Sequence, residues 1–349
     1  MTIPIQNIYY LLCYAWNKLE VSQHVQIDAD NYSNIESLFA KVLVESSNRL
    51  FKRGLAHDYV EVEHDIAGIK GRVDFNSSLK KQLFRQGRAY CRHDEFTSDI
   101  LSNQIIKATM IRLARLDSIN APLRKELRQQ IDRLQGISDI LLDHGHFRNV
   151  RIHSNNAFYE FLLNVCELVY HSTAVQERGS NSRFQDFLRD EKKMAGLFEA
   201  FIRNFYRQEQ SRYNTGADHI EWQFAADSMG NHELFPLMKT DITLSNAEEK
   251  HIIEVKYYSE TLTSHHYGSD RLRSSHLYQL FAYLTNLSLD RSHPGNRTCS
   301  GILLYPTVNI QMDETYQLAN HRLRIYTLNL NQPWQGIRED LLSLLPSSK

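Results

Sequence analysis

Apolar residues recur along this chain with two different periods, and the places where the period changes divide it. Behind Pro4, the residues Ile8, Leu11, Leu12, Ala15 and Leu19 fall at helical spacing, which predicts a helix within Ile3 to Glu20. A second helical stretch spans Ser33 to Arg53 and stops at Gly54. From Asp58 to His93 the pattern alternates, as in Tyr59-Val60-Glu61-Val62-Glu63, with Gly68 and Gly71 as punctuation. Helices are predicted again over Ser98 to Leu116, Ala121 to Leu134 and Asn155 to His171. The polar tract Gln176 to Ser182, with Gly179, then reads as a boundary. Beyond it, Met194, Leu197, Phe198, Phe201 and Phe205 stripe a helix over Glu191 to Gln208. Two strand-like runs, Met238 to Leu244 and His251 to Tyr258, precede a helix over His276 to Leu287 with Leu277, Leu280, Phe281 and Leu284 on one stripe. Strands follow at Ser300 to Tyr305 and His321 to Leu328. The expectation is an α/β (α+β) chain of two regions, 1–180 and 181–349. The first is mostly helical, with a small β module at about 58–95.

Composition narrows the function. The 349 residues carry a formal charge of -1, so no global basic field marks a protein that binds DNA tightly alone. Cys13, Cys91, Cys166 and Cys299 are scattered, which points to reduced thiols and a cytoplasmic protein; no stretch approaches a membrane span. Gly68-Ile69-Lys70-Gly71-Arg72 lacks the arrangement of a phosphate-binding loop, and no other segment supplies one. Lys70, Arg72, Arg85, Arg88 and Arg92 give the β module a basic edge, either a solvated face or a surface for DNA or an acidic partner. Tyr9, Tyr10, Tyr14 and Trp16 read as core aromatics, with base stacking or partner anchoring as the alternative. His144, His146 and His153 near Asp143 lack the companions that a metal site needs.

The stretch that carries chemistry is Leu237 to Tyr258. A turn centred on Ala247 and Glu248 makes Asp241 and Glu254 cross-strand neighbours, and alternation puts Lys256 on the same face as Glu254. Ile253, Val255 and Tyr257 point the other way, so one face is read as chemical and the other as structural. Two carboxylates suit a hard cation such as Mg2+, helped by the Val255 carbonyl, and Lys256 suits the charge that develops on a phosphate under attack. The same residues would also make an ordinary Lys–carboxylate pair on a solvated hairpin.

The order helix, strand, hairpin, helix, strand, strand resembles the core of the PD-(D/E)xK nuclease superfamily. That resemblance implies a catalytic contribution from Glu199 upstream, and it matches Gln279 and Tyr283 to a Q-x-x-x-Y helix downstream. Thr240 departs from it, standing where the superfamily has Pro. The opening IPIQNIYYLLCYAW, the stretch GIKGRVDF, and KTDITL with IIEVKYY and HLYQLFAYL resemble the McrC family along most of the chain. The family resemblance implies an endonuclease subunit of a modification-dependent restriction complex that acts on DNA containing 5-methylcytosine. It also implies an N-terminal region that docks into a hexameric McrB-like AAA+ GTPase and stimulates it, with Lys70 and Arg72 as candidate contacts. GTP would then be used by the partner and not bound by this chain. A non-cutting activator of the GTPase and a stand-alone DNA-repair nuclease are the alternative readings.

Overall fold

The computed structural model describes residues 3–16, 34–151, 157–173, 191–257, 273–307 and 311–346. Its contacts gather into two compact units, Ser33–Phe184, and Met1–Tyr32 together with Gln185–Lys349. The chain is α/β, as expected. The expected boundary tract 176–182 lies outside the described residues, and so does His153. One difference from the expected division stands out: the first helix, α1 (Ile5–Ala15), groups with the C-terminal unit. An apolar stripe marks the face that a helix buries but carries no information about what that face is buried against.

The unit Ser33–Phe184 is a helical body bearing a β module. Helix α2 (Ile35–Arg53) starts at Asn34, whose side chain accepts from Ser37 N–H, and ends at Gly54 with φ +88°. The strands β1 (Asp58–Ala67), β2 (Arg72–Val73) and β3 (Arg88–Thr97) form a sheet in the order β1-β3-β2, with the short helix α3 (Phe75–Lys80) between β2 and β3. Helices α4 (Leu101–Ala114), α5 (Ala121–Asp132), α6 (His144–Asn149) and α7 (Ala157–Thr173) follow. The body is packed by Leu38, Phe39, Leu43, Ile105, Met110, Leu127, Phe161 and Leu162, all buried.

β1 and β3 pair antiparallel from Asp58↔Thr97 to Ala67↔Arg88, ten residues each, and half of their positions are exposed. At about 3.4 Å per residue such a ribbon is roughly 30 Å long. Its root is bolted to the helices: Asn103 donates to the carbonyls of Ala56 (3.0 Å) and Ser98 (2.7 Å), while Tyr159 O–H donates to Asn103 (2.8 Å) and accepts from Ala56 N–H (2.8 Å). Gly71, at φ +67°, has no room for a side chain, because a Cβ there would lie 2.4 Å from the Arg92 carbonyl oxygen. The basic edge is smaller than the sequence implies. Arg88 pairs with Asp65 (2.8 Å), and Arg92 pairs with Glu61 (3.3 Å) and with Glu63. Among the described residues, Lys70, Arg72 and Arg85 make no ion pair.

The C-terminal unit continues with α8 (Glu191–Glu209), β4 (Asn214–Gly216), β5 (His219–Ile220), β6 (Met238–Lys239), β7 (Ile242–Ser245), β8 (Lys250–Val255) and α9 (Ser274–Leu289). It closes with β9 (Ser300–Thr307), β10 (Asp313–Leu318), β11 (His321–Asn329) and α10 (Trp334–Ser343). The main sheet runs β10-β11-β9-β8-β7-β4, with β8, β9 and β11 mutually parallel and the others antiparallel to their neighbours. The edge strand β10, all of it exposed, and the short β5 were not legible as strands, and the run expected over Met238 to Leu244 is divided into β6 and β7. On one face α9 buries His276, Leu280, Tyr283, Leu284 and Leu287 against Ile252, Leu303 and Ile325. This stripe differs from the expected one: Phe281 is 36% exposed, while His276 and Tyr283 bury their bodies and turn polar tips to partners.

The opposite face carries α8, whose Phe198 meets Tyr257 with ring centroids 6.3 Å apart. Tyr14 of α1 packs on Phe201, Phe205 and Trp334, Tyr10 stacks on Trp334 at 4.7 Å, and Asn204 caps the end of α1 through the carbonyls of Tyr14 and Ala15. Tyr9 and Tyr14 therefore belong to the core of this unit, and Tyr10 is half-buried against Trp334. Because helices cover both faces, β8 is buried on both, with Ile252 and Ile253 each at 0% exposure. The face read as chemical is therefore part of the interior and not the surface of a solvated hairpin.

Candidate active site

The β7–β8 turn has the centre that the spacing implies. Asn246 Oδ1 accepts from Glu248 N–H (3.0 Å) and Glu249 N–H (2.8 Å), and the ladder runs from Ser245↔Lys250 to Ile242↔Ile253. One step further, Asp241 faces Glu254, but here side chains replace the backbone ladder. Val255 N–H donates to Asp241 Oδ2 (2.9 Å), and Asp241 N–H donates to Glu254 Oε1 (3.3 Å). Each carboxylate is thus held by the other strand's main chain. Lys256 Nζ lies 3.0 Å from Glu254 Oε2 and 3.9 Å from Asp241 Oδ2. The sequence-predicted trio comes together.

The electrostatics follow from depth. The Glu254 side chain is 0% exposed, against 15% for Lys256 and 21% for Asp241. Burial, and then the neighbouring Asp241 carboxylate, push the Glu254 carboxyl up to about 7 despite Lys256. For Lys256 burial opposes the charge, yet the pull of Glu254 and Asp241 outweighs it, and the ammonium is held above its ordinary range. Burial, with Lys256 and Arg273 nearby, lowers His276 to about 4, so it is neutral at pH 7. Its Nδ1 lies 3.0 Å from Tyr305 Oη.

Gln279 and Tyr283 meet the corner before Asp241, not the carboxylates. Gln279 donates to Tyr283 Oη (2.9 Å), and Tyr283 O–H donates to the Lys239 carbonyl (2.9 Å). Thr240, the departure from Pro, is 1% exposed and bonded to Asp218 through both backbone and hydroxyl: its N–H donates to the Asp218 carbonyl (3.0 Å), and its Oγ1 accepts from Asp218 N–H (2.8 Å). A proline would forfeit the first of these. Glu199 on α8 is engaged by Arg203, and Arg203 donates to the Asp241 carbonyl from Nε (3.1 Å) and Nη2 (2.9 Å). Sequence reasoning missed Arg203; its four-residue spacing from Glu199 was the available signal. Lys70 and Arg72 are exposed and belong to the other unit. Asp143 and His146 form a helix-capping box, and among the described residues no cluster of three His, Cys, Asp or Glu side chains could hold a metal. All four cysteines are buried and free, and no helix among the described residues is long and apolar enough to cross a membrane.

Residues 6–306 match the family described as McrBC 5-methylcytosine restriction system component. The chain belongs to this family. It is 31% identical over 342 residues, 98% of its length and 97% of the relative's, to the Type IV methyl-directed restriction enzyme EcoKMcrBC of Escherichia coli strain K12. Its fold is shared with a chain of the half-complex from a tetradecameric assembly of Thermococcus gammatolerans McrB AAA+ hexamers with bound McrC. That likeness has a TM-score of 0.57 at 16% identity and covers 98% of this chain and 76% of that one.

Proposed function

We propose that this chain is the Mg2+-dependent DNA endonuclease subunit of a restriction complex directed at 5-methylcytosine, and that it stimulates the GTPase of a hexameric McrB-like AAA+ partner. The observation that carries the cutting activity is the convergence of Asp241, Glu254 and Lys256, with Glu254 fully buried and Lys256 Nζ at 3.0 and 3.9 Å from the two carboxylates. The donor set fits a hard cation. Two adjacent carboxylates, one of them wholly desolvated, face a single ammonium, and a divalent ion would let both ionise at neutral pH. Asp241 and Glu254, with the Val255 carbonyl, would hold the ion; its other positions would be left for water and substrate phosphate, the usual arrangement for Mg2+. When bound, the ion would supply Lewis-acid activation of the phosphate and of the attacking water.

The chain's own residues do the rest. Val255 N–H fixes the rotamer of Asp241, and Asp241 N–H fixes Glu254, so the carboxylates are placed before any substrate arrives. Lys256 holds positive charge where the phosphate becomes more negative as the new P–O bond forms and the old one breaks. Tyr283 and Gln279 hold the corner at Lys239.

Partner engagement is assigned to the β1–β3 module. Its far end exposes Ile69 (71%), Phe75 (65%), Leu79 (64%) and Phe84 (41%) beside Lys70, Arg72 and Arg85. An apolar patch with a basic rim on a rigid ribbon suits insertion into a protein channel better than solvent. The Thermococcus gammatolerans assembly of McrB AAA+ hexamers with bound McrC supports an AAA+ hexamer as the kind of partner. The test is to mix the purified chain with its AAA+ partner, GTP and Mg2+ on methylated and unmethylated DNA. Cleavage of methylated DNA by the wild type and none by Asp241→Asn is expected; equal cleavage by both would reject the assignment.

A further inference from the structure

Asp241 sits just outside β7, where β6 and β7 part into different sheets, so the ladder does not fix its main chain. Three consecutive residues at this corner are instead tied individually: Lys239 through its carbonyl to Tyr283, Thr240 to Asp218, and Asp241 through its carbonyl to Arg203. The last tie is the strongest in kind, because a guanidinium places two N–H donors on one carbonyl oxygen, at 3.1 and 2.9 Å. A carbonyl pinned this way sets the peptide plane after Asp241, and hence the direction in which its side chain leaves the backbone. Glu199, one turn earlier on α8, bonds the same Nη2 that reaches Asp241. Its carboxylate is therefore committed to a cation, and its side chain is 36% exposed where Glu254 is 0% exposed.

We infer that Glu199 and Arg203 form a positioning couple for Asp241, in which Arg203 aims the aspartate, Glu199 holds Arg203, and neither touches the bound cation. The inference rests on the reading of Asp241 and Glu254 as cation ligands. It replaces the direct catalytic role that superfamily resemblance would give Glu199, and it explains why an E-x-x-x-R spacing stands on the amphipathic helix that passes the corner. Supporting residues of this kind typically change metal affinity by about 10–100-fold when removed.

The experiment is a titration of the purified full-length chain with Mn2+, followed by electron paramagnetic resonance without DNA, alongside methylated-DNA cleavage with the AAA+ partner. The variants are Arg203→Met, Glu199→Ala, Glu199→Gln, the Glu199→Ala/Arg203→Met double and Asp241→Asn. Glutamine keeps an acceptor for Arg203 but is a poor substitute for a carboxylate ligand. Expected are a loss of Mn2+ affinity of about tenfold or more for Arg203→Met and Glu199→Ala, near-normal affinity for Glu199→Gln, and a double variant no worse than Arg203→Met. In cleavage, Arg203→Met should lower kcat with little change in KM, since a phosphate contact would do the reverse. Equal losses in Glu199→Gln and Glu199→Ala with unchanged affinity in Arg203→Met would overturn the inference and make Glu199 a ligand. If Arg203→Met fails to fold, the two Glu199 variants decide alone, because that residue is on the helix surface. Normal Mn2+ binding by Asp241→Asn would instead reject the site assignment on which the couple depends.

Discussion

At the scale of single residues, depth governs what substitution does. Since Glu254 is fully buried, Glu254→Ala would leave a cavity and strand Lys256, so the informative change is Glu254→Gln. Asp241→Asn and Glu254→Gln are each expected to abolish cleavage of methylated DNA. Lys256→Met is expected to lower kcat by about 10²–10³-fold, the usual consequence of removing a fixed donor from a developing charge. Gel assays with partner and GTP in excess would measure all three. Glu254 also predicts an unusual pH dependence. Its carboxyl titrates near 7 in the fold and near 4.3 in an unfolded chain, so between these values the folded protein binds the extra proton. In metal-free protein the contribution of this one group to stability is accordingly full below the lower value and is lost as pH rises through 7. Urea denaturation in EDTA at pH 5.5 and 8 should show this, and Glu254→Gln should flatten the difference.

At the scale of elements, the β1–β3 ribbon depends on its root and on one glycine. Tyr159→Phe removes the hydroxyl that serves both Ala56 N–H and Asn103, and it should cost about 1–3 kcal/mol by leaving buried polar groups unpaired. Gly71→Ala combines a left-handed φ with a backbone clash at 2.4 Å and should loosen β2 against β3. Hydrogen exchange should show faster exchange of the Asp74 amide, which is bonded to the Tyr90 carbonyl, in Gly71→Ala than in wild type. The same scale shows why the stripe on α9 was misread. Hydropathy ranks Phe281 above His276 and Tyr283, but the latter two have polar tips with partners at Tyr305 and Lys239, which lets their rings be buried.

At the scale of the whole molecule, the proposed cutting and docking surfaces belong to different compact units, so they should separate by mutation. Asp241→Asn should still raise the GTP turnover of the AAA+ partner, whereas Lys70→Glu/Arg72→Glu and Phe75→Ser/Leu79→Ser should lose that stimulation. Titrating partner GTPase with each variant measures this, and loss in Asp241→Asn with full stimulation by the ribbon variants would reverse the assignment. The pairing of Asp241 with Glu254 and Lys256 was legible in the sequence because turn composition sets a register and alternation sets a face, and both are local rules. The α/β class and most element positions were legible for the same reason, and the family through the resemblance of whole stretches such as GIKGRVDF. Three things were decided only by tertiary structure. Helix α1 joined the C-terminal unit because Tyr10 and Tyr14 found Trp334, Phe201 and Phe205, partners that no periodicity names. Arg88 and Arg92 lost their availability to acids brought opposite by strand pairing. Arg203 gained its place because its partner is a main-chain carbonyl 38 residues away, and every residue presents the same carbonyl to a reader of sequence. Local preference writes elements and register; the burial of both sheet faces, which turned an expected polar surface into an interior site, depends on which distant helices come to cover them.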